Sequence, residues 1–152
     1  MVDSRETNMA PNPAEVVERL ARATSQHDLE GIVACFAEGY VNQTPTHPQR
    51  SFTGRDQVRR NWEQILTGVP DITARVLASA VDGDTVWSEW QMTGTRLDGA
   101  LHEMRGVIIF DVASEHVRAA RFYLEPLDRE SGTVDDAVHQ ALSAPRAPGS
   151  TP

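Results

Sequence analysis

The sequence predicts an α+β fold in which helices come first and an antiparallel meander follows. Three observations carry this. Apolar residues recur at helical spacing in the first half. In the second half, long apolar and β-branched runs are separated by Asp82-Gly83 and Asp98-Gly99, dipeptides suited to hairpin turns. Read in order, the elements are α-α-β-α-β-β-β-β, with helices segregated from strands.

Asn12-Pro13-Ala14-Glu15 combines a capping residue, a proline at the first helical position and an early Glu, so a helix starts there. Val16, Val17, Leu20 and Ala23 form its stripe. Asp28 starts a second helix, with Leu29, Ile32, Val33 and Phe36 at i, i+3, i+4 and i+7, and Gly39 stops it. Tyr40 to Thr44 reads as a short strand, followed by a polar loop with Pro45, His47 and Pro48. Thr53 caps a third helix, in which Val58, Trp62, Ile65 and Leu66 share a face; Gly68 and Pro70 end it. Strands are expected over 71–81, 84–96, 100–112 and 116–125, with Pro126 ending the sheet. Residues 1–11 read as a flexible arm, 12–127 as the folded domain and 128–152 as a flexible tail. A short helix from Val134 to Leu142 fits the tail but is marginal without a partner.

The chain has 152 residues, 39% hydrophobic and 24% charged, enough for one core. Fourteen bases against 22 acids give a net charge of -8. That sign disfavours nucleic acid and anionic membrane surfaces. Every base is arginine, which excludes Schiff-base and phosphate-loop lysines. One cysteine, Cys35, forms no intramolecular disulfide, and a cytoplasmic location fits. The polar N-terminus lacks a secretory h-region, and no run reaches a membrane span. No H-x-x-x-H, paired cysteine or nucleotide-binding glycine fingerprint occurs, so neither metal nor cofactor is expected.

The segments HDLEGIVACFAEGYVNQTP, FTGRDQVRRNWEQI, MRGVIIFDV and ARFYLEPLD, in this order and spacing, resemble the SnoaL-like or nuclear-transport-factor-2-like superfamily over about residues 12–127. The resemblance implies a cone-shaped curved sheet wrapped around the N-terminal helices, an internal pocket and a homodimer. Superfamily members include ketosteroid isomerases, limonene epoxide hydrolases, polyketide cyclases and binding modules, so the fold leaves function open.

Alternation along the strands describes the pocket. Ser88, Trp90 and Met92 share one face, as do His102, Met104, Gly106, Ile108 and Phe110, and Ala120, Phe122 and Leu124. These faces are nearly all apolar and should point into the cone, with Trp62 added from the third helix. Trp62, Trp90, Met92, Met104, Phe122 and Leu124 are the expected ligand-binding residues.

The family's catalytic positions are largely vacated. The ketosteroid isomerase base falls on Thr44 or Gln43, its oxyanion tyrosine on Leu20 and its protonated aspartate on Gly106. The epoxide hydrolase Tyr-x-Asn pair matches Tyr40-Val41-Asn42, but its Arg-x-Asp falls on Trp90-Gln91-Met92. Its last-strand aspartate, a position also used by polyketide cyclases, falls on Phe122. The remaining polar residue aimed into the cone is His102. Desolvation favours its neutral form, which suits a general base. His102 is therefore the expected acid/base residue, helped by Tyr40 and Asn42; the structural alternative is a histidine satisfied by a backbone carbonyl. Glu125 alternates away from the pocket, and only a bulge in the last strand would turn it inward. His47, at the expected cone mouth, is a gating or ligand candidate. His27, His116, His139 and Cys35 read as structural or solvent groups. Glu89, Glu103, Arg105, Arg121 and Tyr123 mark the outer face as a dimer interface.

Two functions remain. One is cofactor-independent cyclisation, isomerisation or epoxide opening of a small hydrophobic molecule such as a polyketide, terpenoid or steroid. The other is non-catalytic binding of such a molecule.

Overall fold

The computed structural model describes residues 12–143. The expected N-terminal arm, residues 1–11, lies outside the described residues, as do residues 144–152 of the expected tail.

Helix α1 spans Pro13–Ser25, with the Asn12 side chain accepting from the Ala14 N–H as expected. Its Val16, Val17, Leu20 and Ala23 stripe is buried, and the helix packs mainly on strand β3, Thr73–Asp82. Helix α2 is shorter than its spacing predicts. It covers Leu29–Ala34, and strand β1 begins at Phe36 and runs to Gln43. The competing interaction is tertiary: Val117 N–H donates to the Cys35 carbonyl, and Phe36 pairs with Val117.

A one-turn 3-10 helix, Pro48–Arg50, leads into a two-residue strand β2, Phe52–Thr53, which pairs antiparallel with Asn42 and Val41. Thr53 is thus a strand residue and not the expected helix cap. Helix α3, Arg55–Gly68, starts after Gly54 without a side-chain cap. Strand β4 is Thr85–Thr95, β5 is Leu101–Ala113 and β6 is His116–Pro126. All four predicted strands of the meander are present.

The six strands form one curved, open sheet in the order β2-β1-β6-β5-β4-β3. The meander is antiparallel throughout, and β1 joins β6 in parallel. Consequently the C-terminal ends of β4 and β6 and the N-terminal end of β5 lie at one end of the sheet, and β1 runs toward that end, its last residue Gln43 facing Arg121. The inner face carries the core. Trp90, Phe110, Ile72 and Ile108 are almost fully buried there, each side chain of this kind contributing about 1.5–3 kcal/mol.

Helix α4, Val134–Leu142, lies in the expected tail. A reciprocal capping box between Thr133 and Asp136 starts it, and none of its side chains is buried.

Candidate functional site

A cavity of about 320 Å³ opens between the inner face of the sheet and α3. That is the low end of the roughly 300–1,000 Å³ of small-molecule pockets. Strand alternation aims Tyr40 and Asn42 of β1 into it, with Thr44 just beyond. Trp90 and Met92 of β4, His102 and Met104 of β5, and Phe122 and Leu124 of β6 form the opposite wall. Trp62 reaches it from the same face of α3 as Val58 and Ile65. The three residues expected to do chemistry and the six expected to bind ligand therefore line one cavity.

The polar wall on β1 is internally bonded. Tyr40 is buried, and its hydroxyl donates to Asn42 Oδ1 at 2.8 Å. Burial pushes its phenol far above the ordinary tyrosine range, so it stays protonated. Asn42 Nδ2 donates in turn to Thr44 Oγ1 at 3.3 Å. On β4, Trp90 Nε1 donates to Ser88 Oγ at 2.8 Å, and that hydroxyl donates to the Ile108 carbonyl at 2.7 Å. Trp90 therefore offers the cavity an apolar ring with its one polar atom already satisfied.

His102 is half-buried at the N-terminal end of β5, and its ring makes no side-chain hydrogen bond among the described residues. Burial holds its imidazole below the usual histidine value, and the Arg96 charge adds to this. The backbone-satisfied alternative for this residue is not what the geometry displays. His27 does behave that way, its Nε2 lying 2.9 Å from the Ile72 carbonyl. Cys35 is buried, donates to the Gly31 carbonyl, and has its thiol pushed up mainly by burial.

Glu125 does not line the cavity. The irregularity between β5 and β6 falls at Asp111/Val112, and pairing is regular from Ala119 onward. Leu124 therefore faces in and Glu125 faces out, where Oε1 lies 2.9 Å from His47 Nε2. This pair accounts for His47, which is likewise outside the cavity wall. No Asp or Glu lines the cavity among the described residues. Gly106, at the matching position of the isomerase aspartate, has φ of 151°. A Cβ there would overlap the Tyr123 carbonyl oxygen and lie 2.9 Å from Leu124 Cα. The close approach of β6 leaves no room for a side chain at 106.

Three polar lining residues were missed in the sequence, of which Thr24 has its hydroxyl committed to the Leu20 carbonyl at 2.8 Å. Asn61 shares the α3 face of Val58, Trp62 and Ile65, a helical spacing that was available to find it. Arg50 stands in the 3-10 turn, where no periodicity announces direction. No group of three or more His, Cys, Asp or Glu side chains is placed to hold a metal ion among the described residues. No helix there is long and apolar enough to cross a membrane.

The SnoaL-like domain family matches residues 17–120. IdmH from Streptomyces antibioticus, a candidate polyketide cyclase, is similar in structure with a TM-score of 0.66 and 20% identity. The match covers 76% of this chain and 93% of IdmH. A Mycobacterium tuberculosis protein crystallised with estradiol-17beta-hemisuccinate matches with a TM-score of 0.64 and 19% identity, over 74% of this chain and 94% of its own. A candidate isomerase from Bacillus subtilis matches with a TM-score of 0.67 and 13% identity, over 76% and 90%. At these identities the likeness is one of fold. No curated protein is similar in sequence to the chain.

Proposed function

The chain belongs to the SnoaL-like domain family, and on that premise we propose that it performs cofactor-independent acid/base chemistry on a small hydrophobic molecule such as a polyketide, terpenoid or steroid. The observation that carries this reading is an apolar cavity whose wall includes His102, a ring without a side-chain hydrogen-bond partner among the described residues, with burial favouring its neutral form. The structural neighbours described as a candidate cyclase and as a steroid complex support the ligand class.

Three outcomes share one base. With a carbon acid, neutral His102 takes the proton next to a carbonyl, and the C–H electron pair moves onto oxygen as an enolate. Return of that proton at another carbon gives an isomer. Attack of the enolate carbon on a second carbonyl gives a ring, and the imidazolium protonates the new alkoxide. With an epoxide, His102 takes a proton from water as its oxygen attacks a ring carbon. The ring C–O bond breaks, and the leaving alkoxide receives the proton. Tyr40 and Asn42 serve as a fixed polar wall that orients the substrate, since their mutual bond leaves the phenol oxygen able to accept.

A second reading, non-catalytic binding, is favoured by the lack of an Asp or Glu in the cavity wall among the described residues. Homodimerisation through the outer sheet face belongs to either reading. Trp87, 48% exposed, and Tyr123 support that surface.

The test is chromatography with mass detection on polyketides, terpene epoxides and ketosteroids incubated with the protein. Unchanged mass with a new retention time identifies an isomerase or cyclase, and a gain of one water an epoxide hydrolase. His102→Ala should abolish turnover while preserving the fold. Full activity in that variant refutes the acid/base role, and retention of unaltered molecules moves the reading to binding.

A further inference from the structure

The cavity's charge is opposite in sign to the molecule's. The chain carries a net charge of -8. Yet the one permanently charged side chain in the cavity wall, among the described residues, is the cation Arg50. Arg50 is both solvent-exposed and part of the wall, so it stands at the mouth. It makes no ion pair and no side-chain hydrogen bond among the described residues. Arg59, Arg96 and Arg129, by contrast, each hold a carboxylate.

The loop that carries Arg50 is well fixed. The Arg50 N–H donates to the His47 carbonyl at 2.9 Å, and the His47 N–H to the Thr44 carbonyl at 2.8 Å. The Thr44 N–H donates to Ser51 Oγ at 3.2 Å, and His47 is anchored to Glu125 on β6. The guanidinium therefore projects from an ordered turn at the C-terminal end of β1. His102 lies toward the same end of the sheet: β5 starts where β6 finishes, Met104 facing Pro126, and the turn that follows β1 climbs past Gln43, which faces Arg121, to set His47 against Glu125. Asn61 and Thr44 add neutral donors to the same wall.

We infer that the ligand is an amphipathic acid: an apolar body inside the cavity and a carboxylate at the mouth held by Arg50. The guanidinium fork matches a carboxylate in two parallel hydrogen bonds, and the apolar wall behind it raises the strength of that pairing. A cationic ligand would meet Arg50 with no acid in the cavity wall to offset it. The carboxylate would also set which end of the ligand faces His102, turning a general apolar pocket into an oriented one.

The inference rests on the proposed reading that the cavity binds a small apolar molecule, and the test separates the two. Binding of 2-naphthylacetic acid, its methyl ester and 2-(2-naphthyl)ethanol is followed by quenching of tryptophan fluorescence and by calorimetry, on the full chain and on Arg50→Gln. The acid should bind the wild-type chain at least tenfold more tightly than the ester or alcohol, about 1.4 kcal/mol. Arg50→Gln should remove that preference, weakening the acid at least tenfold more than the ester. The exposed position of Arg50 lets the variant fold, and far-UV circular dichroism verifies it. Equal binding of acid and ester, or an equal loss of both in Arg50→Gln, overturns the inference while the apolar pocket stands. Failure of all three probes to bind overturns both.

Discussion

Replacement of Gly106 by Ala tests the close packing that closes the cavity wall. At 106 the new Cβ would overlap the Tyr123 carbonyl oxygen and sit 2.9 Å from Leu124 Cα and 3.0 Å from the Tyr123 carbonyl carbon. All three are backbone atoms, so no side chain can rotate aside. The φ of 151° adds strain of its own for an L-residue. Strain of this kind costs about 1–3 kcal/mol, and forcing atoms into a packed site about 1–3 kcal/mol more. The expected loss is about 4 kcal/mol, a large share of the roughly 5–15 kcal/mol that hold a domain folded. Two other glycines divide the effect. Gly99 has φ of 86° but open space around its built Cβ, so Gly99→Ala isolates strain at about 1 kcal/mol. Gly39 has open space and no positive φ, so Gly39→Ala should be neutral or slightly stabilising. Urea unfolding followed by tryptophan fluorescence gives all three values by linear extrapolation. If Gly106→Ala lies within about 1 kcal/mol of Gly99→Ala, the reasoning about strand approach is refuted.

Ser88→Ala deprives the buried Trp90 indole N–H of its acceptor and the Ile108 carbonyl of its donor. It should cost about 1–3 kcal/mol in the same urea assay, and no measurable change would mean that the chain of bonds contributes nothing. His102 is held below its ordinary value in the folded state, so the unfolded chain binds its proton first as pH falls. Stability should therefore fall on acidification from the ordinary histidine value toward the lowered one, and His102→Asn should flatten that slope. A steeper slope in the variant would reverse the assigned direction. In any catalysed reaction, the acidic limb of kcat/KM should have its midpoint below the ordinary histidine value, because burial lowers the proton affinity of His102.

The site was legible wherever strand alternation applied. Trp90, Met92, His102, Met104, Phe122 and Leu124 were assigned to the inner face by parity, and each lines the cavity. Parity also set Glu125 outward, and the one irregularity in the β5–β6 pairing falls before Ala119, too early to reverse it. Legibility ended where the backbone left regular periods. Phe36 satisfied a helical spacing from Leu29, yet its pairing with Val117 draws it into β1. A two-residue strand such as β2 leaves no period to detect.

The sequence by itself determined the α+β class, the meander with its Asp-Gly turns and the apolar walls. Those properties follow from local periodicity, turn chemistry and residue identity. Only the tertiary structure decided that β1 runs parallel beside β6, that the Tyr40 hydroxyl is committed to Asn42, and that Glu125 is taken by His47. It alone brought Arg50 to the mouth and excluded a side chain at Gly106. These depend on contacts between residues distant in the chain, and on backbone turns whose direction no local pattern encodes.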